Sequence, residues 1–97
     1  MYSIVIDKEI FDKDFSKITL YDQQHIIKAI KDKLSSHPEL YGKPLKWELT
    51  GYWKLKVGKY RIVYKIIKSK VTVYVITVGF RRNSQAYMQA AKRLGFI

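Results

Sequence analysis

The sequence predicts an α+β fold: a small antiparallel β-sheet with an N-terminal helical hairpin and a C-terminal helix, in the order β-α-α-β-β-β-α. Apolar residues recur at helical spacing in the first forty residues, whereas from Trp53 onward they alternate with polar ones, as strands do. The 97 residues have the length of one domain, which we assign to residues 1–97.

The first half of the chain predicts a strand followed by two helices. The β-branched run Tyr2–Ile6 predicts the strand, and Asp7 is suited to cap the helix that follows it. Thr19 and Asp22 have the spacing of a capping box and predict the start of the second helix. A loop with two prolines and a glycine, over 35–44, ends it. The apolar faces of the two helices consist of Ile10, Phe11, Phe15 and Ile18, and of Ile26, Ile27, Ile30 and Leu34.

The second half predicts a β-hairpin, a further strand and a helix. Gly58–Lys59 fits a two-residue type II′ turn, in which glycine supplies the positive φ. The run "VTVYVITV", 71–78, is apolar on both faces, as expected of a central strand that is covered on both sides. Asn83 or Ser84 is suited to cap the last helix, and Gly95 to end it.

The Gly58–Lys59 turn determines how the two hairpin strands pair. Val57 then faces Tyr60 and Lys56 faces Arg61, and opposed residues share a face of the sheet. One face is apolar: Trp53, Leu55, Val57, Tyr60, Ile62, Tyr64 and Ile66. The other, which we call the cationic face, carries Tyr52, Lys54, Lys56, Arg61, Val63 and Lys65. Like charges opposed across strands are destabilising, which favours a face that binds a polyanion over one that is only solvated.

Charge is distributed unevenly along the chain. The net charge is +11, yet the residues up to Tyr41 include six lysines and seven acids. From Gly42 onward there are thirteen lysines and arginines and one acid, Glu48. This asymmetry favours a nucleic-acid contact surface over a charge that serves only solubility. No cysteine, readable signal peptide or membrane span is present, so we expect a cytosolic protein.

The chemistry available to the basic half is restricted. Glu48 alone cannot form the clustered carboxylates of a two-metal nuclease, so we expect no metal site. His25 and His37 lie in the first half, and we interpret them as a helix-surface residue and a loop residue. Lysine, arginine and tyrosine remain as the candidates for catalysis.

These candidates can be assigned to the steps of RNA cleavage by an internal 2′-hydroxyl. Crowded positive charge favours loss of a proton from Lys54 or Lys56, either of which could then act as the base. Arg61 and Arg81 would stabilise phosphate charge by bidentate hydrogen bonds. Tyr87 lies on a helical stripe with two alanines and a leucine, which is consistent with core packing or with base stacking. We assign three other aromatic residues to packing: Trp47, Trp53 and Tyr64.

The segments "YWKLKV", "YRIVYKI", "VYVITVGFRRNSQAY" and "AAKRLG" together resemble the RelE branch of the RelE/ParE toxins of bacterial toxin–antitoxin pairs. The resemblance extends from about Leu45 to Leu94. It implies a small sheet that carries helices, and cleavage of messenger RNA in the ribosomal A site without metal or cofactor. It also implies contacts with 16S ribosomal RNA and a cognate acidic antitoxin, and no membrane partner.

The resemblance implies a role for each residue that matches the motif. The catalytic set is Lys54, Lys56, Arg61, Arg81 and Tyr87. Further RNA-binding residues are Lys46, Lys59, Lys65, Arg82 and Asn83. The chain departs from the pattern twice. The turn before Arg61 is two residues shorter than in the best-known members, and Asn83 stands where arginine is common.

Two other functions are compatible with these observations. A ParE-like poison of DNA gyrase would share the fold, although that branch does not keep the Lys54, Lys56, Arg61, Arg81 and Tyr87 set. A non-catalytic RNA-binding module would use the same basic face only for affinity.

Overall fold

Five strands form one sheet in the order β1-β5-β4-β3-β2. A computed structural model describes residues 1–97. The strands are β1 (Ser3–Ile6), β2 (Lys43–Pro44), β3 (Trp53–Val57), β4 (Tyr60–Ile67) and β5 (Thr72–Phe80). The predicted fold class is confirmed, and two details differ. The two-residue strand β2 lies in a segment predicted as loop, and β1 runs parallel to β5. The long connection between β1 and β5, which contains helices and the other three strands, permits this parallel pairing, which a short turn could not.

Three α-helices and several irregular turns complete the fold. The α-helices are α1 (Leu20–Ala29), α2 (Pro38–Tyr41) and α3 (Gln85–Arg93). The first predicted helix is a π-helical turn, Ile10–Asp14, followed by a 3₁₀ turn, Phe15–Lys17. A second π-helical turn, Ile30–Leu34, continues α1. The predicted cap of α1 is confirmed, because the Asp22 N–H donates to Thr19 Oγ1 at 3.2 Å.

The predicted hairpin register is confirmed. Val57 pairs with Tyr60 and Lys56 with Arg61, across a turn in which Gly58 has a φ of 54°. The main core lies between the apolar face of this sheet and the helical hairpin. Its buried members are Ile10, Phe15, Ile18, Ile26, Ile30, Leu34, Leu55, Tyr60, Ile62, Tyr64, Val73, Val75 and Val78.

Helix α3 lies on the opposite side of the sheet and covers part of the cationic face. A second, smaller core forms there from Leu49, Val63, Ala90 and Ala91. The helix approaches β5 closely because Gly79 has no side chain: a Cβ at this position would lie 2.7 Å from the Cα of Ala86. Only the part of the cationic face beyond α3 is therefore open to solvent.

A buried ion pair ties α3 to the first helical turn. Arg93 donates to both carboxylate oxygens of Asp14, with N···O distances of 2.9 and 3.0 Å. The same carboxylate accepts from Gln89 Nε2 at 2.6 Å and from the Val78 N–H at 3.0 Å. The hydrogen bonds to Asp14 raise the pKa of the Arg93 guanidinium. Three segments of the chain, the first helical turn, β5 and α3, thus meet at one carboxylate.

The assignment of Trp47 to packing is wrong. Its side chain is 84% exposed, whereas Trp53 packs at the edge of the main core and Tyr64 is fully buried. The difference follows from the local backbone, because the tight turn Trp47–Leu49 directs Leu49 inward instead. None of the helices is long and apolar enough to cross a membrane.

Candidate nucleic-acid interface

Strand pairing gathers cations into rows across the cationic face. Lys56 is opposite Arg61, which is in turn opposite Gly79 of β5. In the next row Lys54 lies between Val63 of β4 and Lys43 of β2. Sequence reasoning missed Lys43, because the prolines on both sides of it indicated a loop and gave no sign of a strand. The structure adds it to the row as a cation directly beside Lys54.

Arg61 lies deeper in the molecule than the pattern suggests. It is only 8% exposed, and its Nη1 donates to the carbonyls of Gly58 at 2.9 Å and Tyr60 at 2.8 Å. No buried side-chain nitrogen in the structure lacks a partner, so the other guanidinium nitrogens, which donate no hydrogen bond, reach the surface. One edge of the guanidinium therefore holds the turn, and the other edge is available to a phosphate.

Arg81 lies beside the same turn. Its backbone N–H donates to the Lys59 carbonyl at 2.8 Å, which joins the end of β5 to the hairpin. The Arg81 side chain is exposed and makes no hydrogen bond or ion pair with the protein. Arg82 and Asn83 follow in an exposed turn, in which Asn83 has a left-handed φ of 56°. These residues and Lys59 form a basic cluster at one end of the cationic face.

Tyr87 is partly buried, and its ring packs against the second core. The Lys54 ammonium lies 5.7 Å from the centroid of this ring, a cation–π distance. At the other end of the face, Lys65 lies 5.4 Å from the ring centroid of Tyr52. Tyr87 thus contributes to the second core, as one interpretation of the sequence has it, and also borders the lysine row. Stacking of a base on its ring stays a prediction.

The structure brings four of the five predicted catalytic residues onto one face: Lys54, Lys56, Arg61 and Tyr87. Arg81 lies at the end of that face, beside the turn. Lys65 lies farther off, since it is four residues from Arg61 along β4, or about 13 Å. Lys46 lies outside the sheet, directly before the turn Trp47–Leu49.

No acidic side chain neutralises this set. Every ion pair in the protein involves other cations: Lys8, Lys13, Lys28, Lys68 and Arg93. Uncompensated cations beside an aromatic ring suit a phosphate backbone with an unstacked base. No group of three or more histidine, cysteine or acidic side chains that could hold a metal ion is present.

The base of the turn is anchored on its other side. The Tyr60 hydroxyl donates to an Asp22 carboxylate oxygen at 2.6 Å, which connects β4 to α1. Burial, together with this hydrogen bond and the charge of Asp22, raises the pKa of Tyr60 to about 12.

Comparisons with known proteins agree with this geometry. The family model of the ParE toxin of type II toxin–antitoxin systems, parDE, matches residues 6–84. The mRNA interferase toxin RelE of Escherichia coli (strain K12) is 49% identical over 41 residues, which are 42% of this chain and 43% of that protein. The toxin RelG of Mycobacterium tuberculosis is 40% identical over 48 residues, 50% of this chain and 55% of that protein. The matched segment thus spans about half the length of these curated relatives.

Solved structures match over more of the chain. A mutant of E. coli toxin RelE in the free state superposes with a TM-score of 0.71 and 30% identity, covering 96% of this chain and 97% of that one. A chain of the toxin–antitoxin complex RelBE2 from M. tuberculosis gives a TM-score of 0.76 and 28% identity, covering 82% and 98%. The predicted family is confirmed: the chain belongs to the RelE/ParE toxins of type II toxin–antitoxin systems, in their RelE-like branch.

Proposed function

We propose that this protein is the toxin of a type II toxin–antitoxin pair and acts in the cytoplasm as a ribosome-dependent, metal-independent endoribonuclease. It cuts messenger RNA in the ribosomal A site and thereby inhibits translation. The observation that carries the proposal is the lysine row beside Arg61 and Tyr87, with no acid paired to any of its members. The family membership and a relative named mRNA interferase support it.

The reaction assigned to this site is attack of a 2′-hydroxyl on the adjacent phosphorus. The 2′ oxygen forms a bond to phosphorus as the 5′ oxygen leaves, which gives a cyclic phosphate and a free 5′-hydroxyl. Lys54 or Lys56 accepts the 2′-hydroxyl proton. The free edge of Arg61 stabilises the dianionic phosphorane. Arg81 acts as an electrostatic helper for the departing 5′ oxygen, since arginine hardly loses its proton. The proton that completes the 5′-hydroxyl comes from water, to which the lysine ammonium can return the proton that it took. Tyr87 stacks on a base and orients it.

The remaining basic residues hold the RNA. Lys59, Arg82 and Asn83 would bind phosphates near the turn, and Lys46 and Lys65 would do so at the far end of the face. Lysine and arginine alone supply weak proton chemistry. The ribosome therefore contributes the in-line orientation of the message, which can lower the barrier by about 7–11 kcal/mol.

A toxin of this kind requires a restraining partner. The structures of RelBE complexes to which this chain is similar contain an antitoxin. By that likeness we infer a cognate acidic antitoxin, whose charge would complement the basic half of this chain.

Primer extension on messenger RNA tests the proposal, with purified protein in the presence and absence of 70S ribosomes. Discrete cuts should appear only with ribosomes. Arg81→Ala should lower the cleavage rate by about 10²- to 10³-fold. Lys31→Ala is the matched control, because Lys31 is an exposed cation on the helical hairpin with no ion pair. Intact RNA in every lane, from folded protein, would refute the nuclease function.

Poisoning of DNA gyrase is a second candidate, since the family model that matches the chain is that of the ParE toxin. A gyrase cleavage assay distinguishes it, because only a poison would accumulate cleaved DNA. A non-catalytic RNA binder is distinguished by Lys54→Ala and Arg81→Ala, which would weaken its RNA affinity modestly and to a similar degree. In the enzyme, both changes should lower rate far more than affinity.

A further inference from the structure

Trp47 combines exposure with backbone strain. Its ring is 84% exposed, and its φ of 53° lies in the left-handed region, which glycine and asparagine favour and tryptophan rarely adopts. Folding therefore gains almost no apolar burial from this ring, although the backbone is strained to present it. The two other non-glycine residues strained near the cationic face, Asn83 and Ser84, lie in the turn that follows Arg81 and Arg82.

Hydrogen bonds close the backbone of the turn that carries Trp47. The Trp47 carbonyl accepts from both the N–H and the hydroxyl of Thr50, at 3.0 and 2.7 Å. The Leu49 N–H donates to the Lys46 carbonyl, and the Leu49 side chain is buried in the second core with Ala90 of α3. The backbone that carries the exposed ring is thus part of a hydrogen-bonded turn.

The position of the turn extends the cationic face. The Leu45 N–H donates to the Tyr52 carbonyl at 2.9 Å, so the turn begins beside Tyr52, on the side of the sheet where α3 packs. Tyr52 is four residues from Lys56, or about 13 Å along the strand. That distance is about two phosphate spacings of an extended RNA strand. Lys46 precedes the tryptophan, and Lys65 lies over the Tyr52 ring.

We propose that Trp47 is a stacking platform for one unpaired RNA base, about two to three nucleotides from the phosphate held by Lys56 and Arg61. Lys46 and Lys65 would hold the phosphates between the two places. The inference rests on the proposed function, because it assumes that RNA lies along the cationic face. An RNA strand suits this end of the face because cations border it and every base offers a π-face to the ring.

The direct test is the fluorescence of Trp47 in a Trp53→Phe background, in which it is the only tryptophan. Titration with a single-stranded adenine-rich RNA of about eight nucleotides should quench it, since a stacked base quenches an indole. An RNA of the same length with no bases at its central positions should bind without that quenching. Equal quenching by both RNAs would overturn the proposal.

Substitutions at Trp47 provide a second test, by fluorescence anisotropy of a labelled RNA. Trp47→Leu should weaken binding by about 5- to 150-fold, the effect of losing one base–aromatic stack, and Trp47→Phe should keep most of the affinity. Trp47→Gly relieves the strained φ, so it should keep or raise the melting temperature while losing as much affinity as Trp47→Leu. Tyr21→Leu, at an exposed tyrosine of α1, is the control and should leave binding unchanged.

Titration of Trp47 fluorescence with ribosomes shows whether the stacked base belongs to ribosomal RNA or to the message. Quenching by vacant 70S particles would assign it to ribosomal RNA, and quenching only after messenger RNA is loaded would assign it to the message. Unchanged RNA affinity in Trp47→Leu would overturn the proposal. Quenching of Trp47 by the antitoxin, with none by any RNA, would overturn it in favour of a protein contact. Cleavage by the wild-type protein separates this proposal from the proposed function. Cleavage of messenger RNA without quenching of Trp47 would refute only base stacking on Trp47. Quenching without cleavage would refute only the endoribonuclease activity.

Discussion

Arg61 and Arg81 border the same turn but differ in what each gives to the fold. Arg61 donates two hydrogen bonds to the turn carbonyls of Gly58 and Tyr60, whereas the Arg81 side chain contacts no partner. Arg61→Ala should therefore lower the free energy of unfolding by about 1–3 kcal/mol and also lower the cleavage rate. Arg81→Ala should change stability by less than about 0.5 kcal/mol and affect the rate alone. Urea unfolding beside the ribosomal assay measures both, and equal stability of the two variants would contradict the burial of Arg61.

Gly79 lies where β5 and α3 approach each other closely. A methyl group there would meet the backbone of Ala86, which cannot move without displacing α3. Gly79→Ala should therefore cost about 1–3 kcal/mol of stability and lower activity through the misplacement of Tyr87. Ser69→Ala, at an exposed turn, is the control for thermal unfolding. A Gly79→Ala protein as stable and active as the wild type would show that α3 does not lie against β5 as described.

At the scale of the elements, a buried carboxylate helps to hold α3 in place. Asp14 has a side-chain exposure of 2%, and its loss would leave the buried Arg93 charge with Glu9, at 2.6 Å, as its one ion-pair partner. It would also remove the acceptor of the Val78 N–H and of Gln89. Asp14→Ala should lower the free energy of unfolding by about 3–5 kcal/mol. Lys28→Ala breaks an exposed pair with Asp32 of similar length, 2.8 Å, and should cost less than about 1 kcal/mol. Chemical denaturation of both variants checks the contrast, which similar losses would contradict.

The position of α3 could not be predicted from the sequence, whereas the pairing of the hairpin strands could. The hairpin register was predictable, because a two-residue turn and an alternating pattern determine it locally. Docking of α3 onto the cationic face was not, since it depends on Gly79 and on the Asp14–Arg93 pair, whose members are far apart in the chain. No periodic pattern encodes such a contact.

At the site, the pattern predicted which residues share a face but not how far each is buried. Burial of Arg61 depends on the turn carbonyls that it binds, and exposure of Trp47 depends on a single left-handed φ. Lys43 joins the row through a strand of only two residues, too short for any alternation to show. The catalytic and RNA-binding roles stay predictions until cleavage is measured.

For the whole molecule, tyrosine ionisation limits stability at high pH. The pKa of Tyr60 is raised from 10.0 to about 12 in the folded protein, so the folded state retains a proton that the unfolded state loses. Stability from this group is complete below pH 10 and is lost as the pH rises toward 12.

Tyr60→Phe should remove that part of the pH dependence. The difference in unfolding free energy between wild type and variant should shrink between pH 10 and 12, as measured by urea denaturation at each pH. Tyr21→Phe, at an exposed tyrosine, should show the wild-type slope. A wild-type slope in Tyr60→Phe would show that its hydroxyl is not held by Asp22.

The parallel pairing of β1 with β5 also bears on when the toxin can form during its own synthesis. Ser3 is aligned with Thr72, so β1 has no partner strand until β5 has been made. Contacts between residues so far apart form late, because a long loop must close before they stabilise anything. The face that would cut RNA needs β3, β4 and β5, because Lys54 and Lys56 lie on β3, Arg61 lies on β4 and Arg81 follows β5. A nascent chain stopped before Thr72 therefore lacks Arg81 and the strand that pairs with β4 on the side away from β3. A ribosome translating this message would therefore not be exposed to a folded toxin domain on its own nascent chain before β5 has emerged.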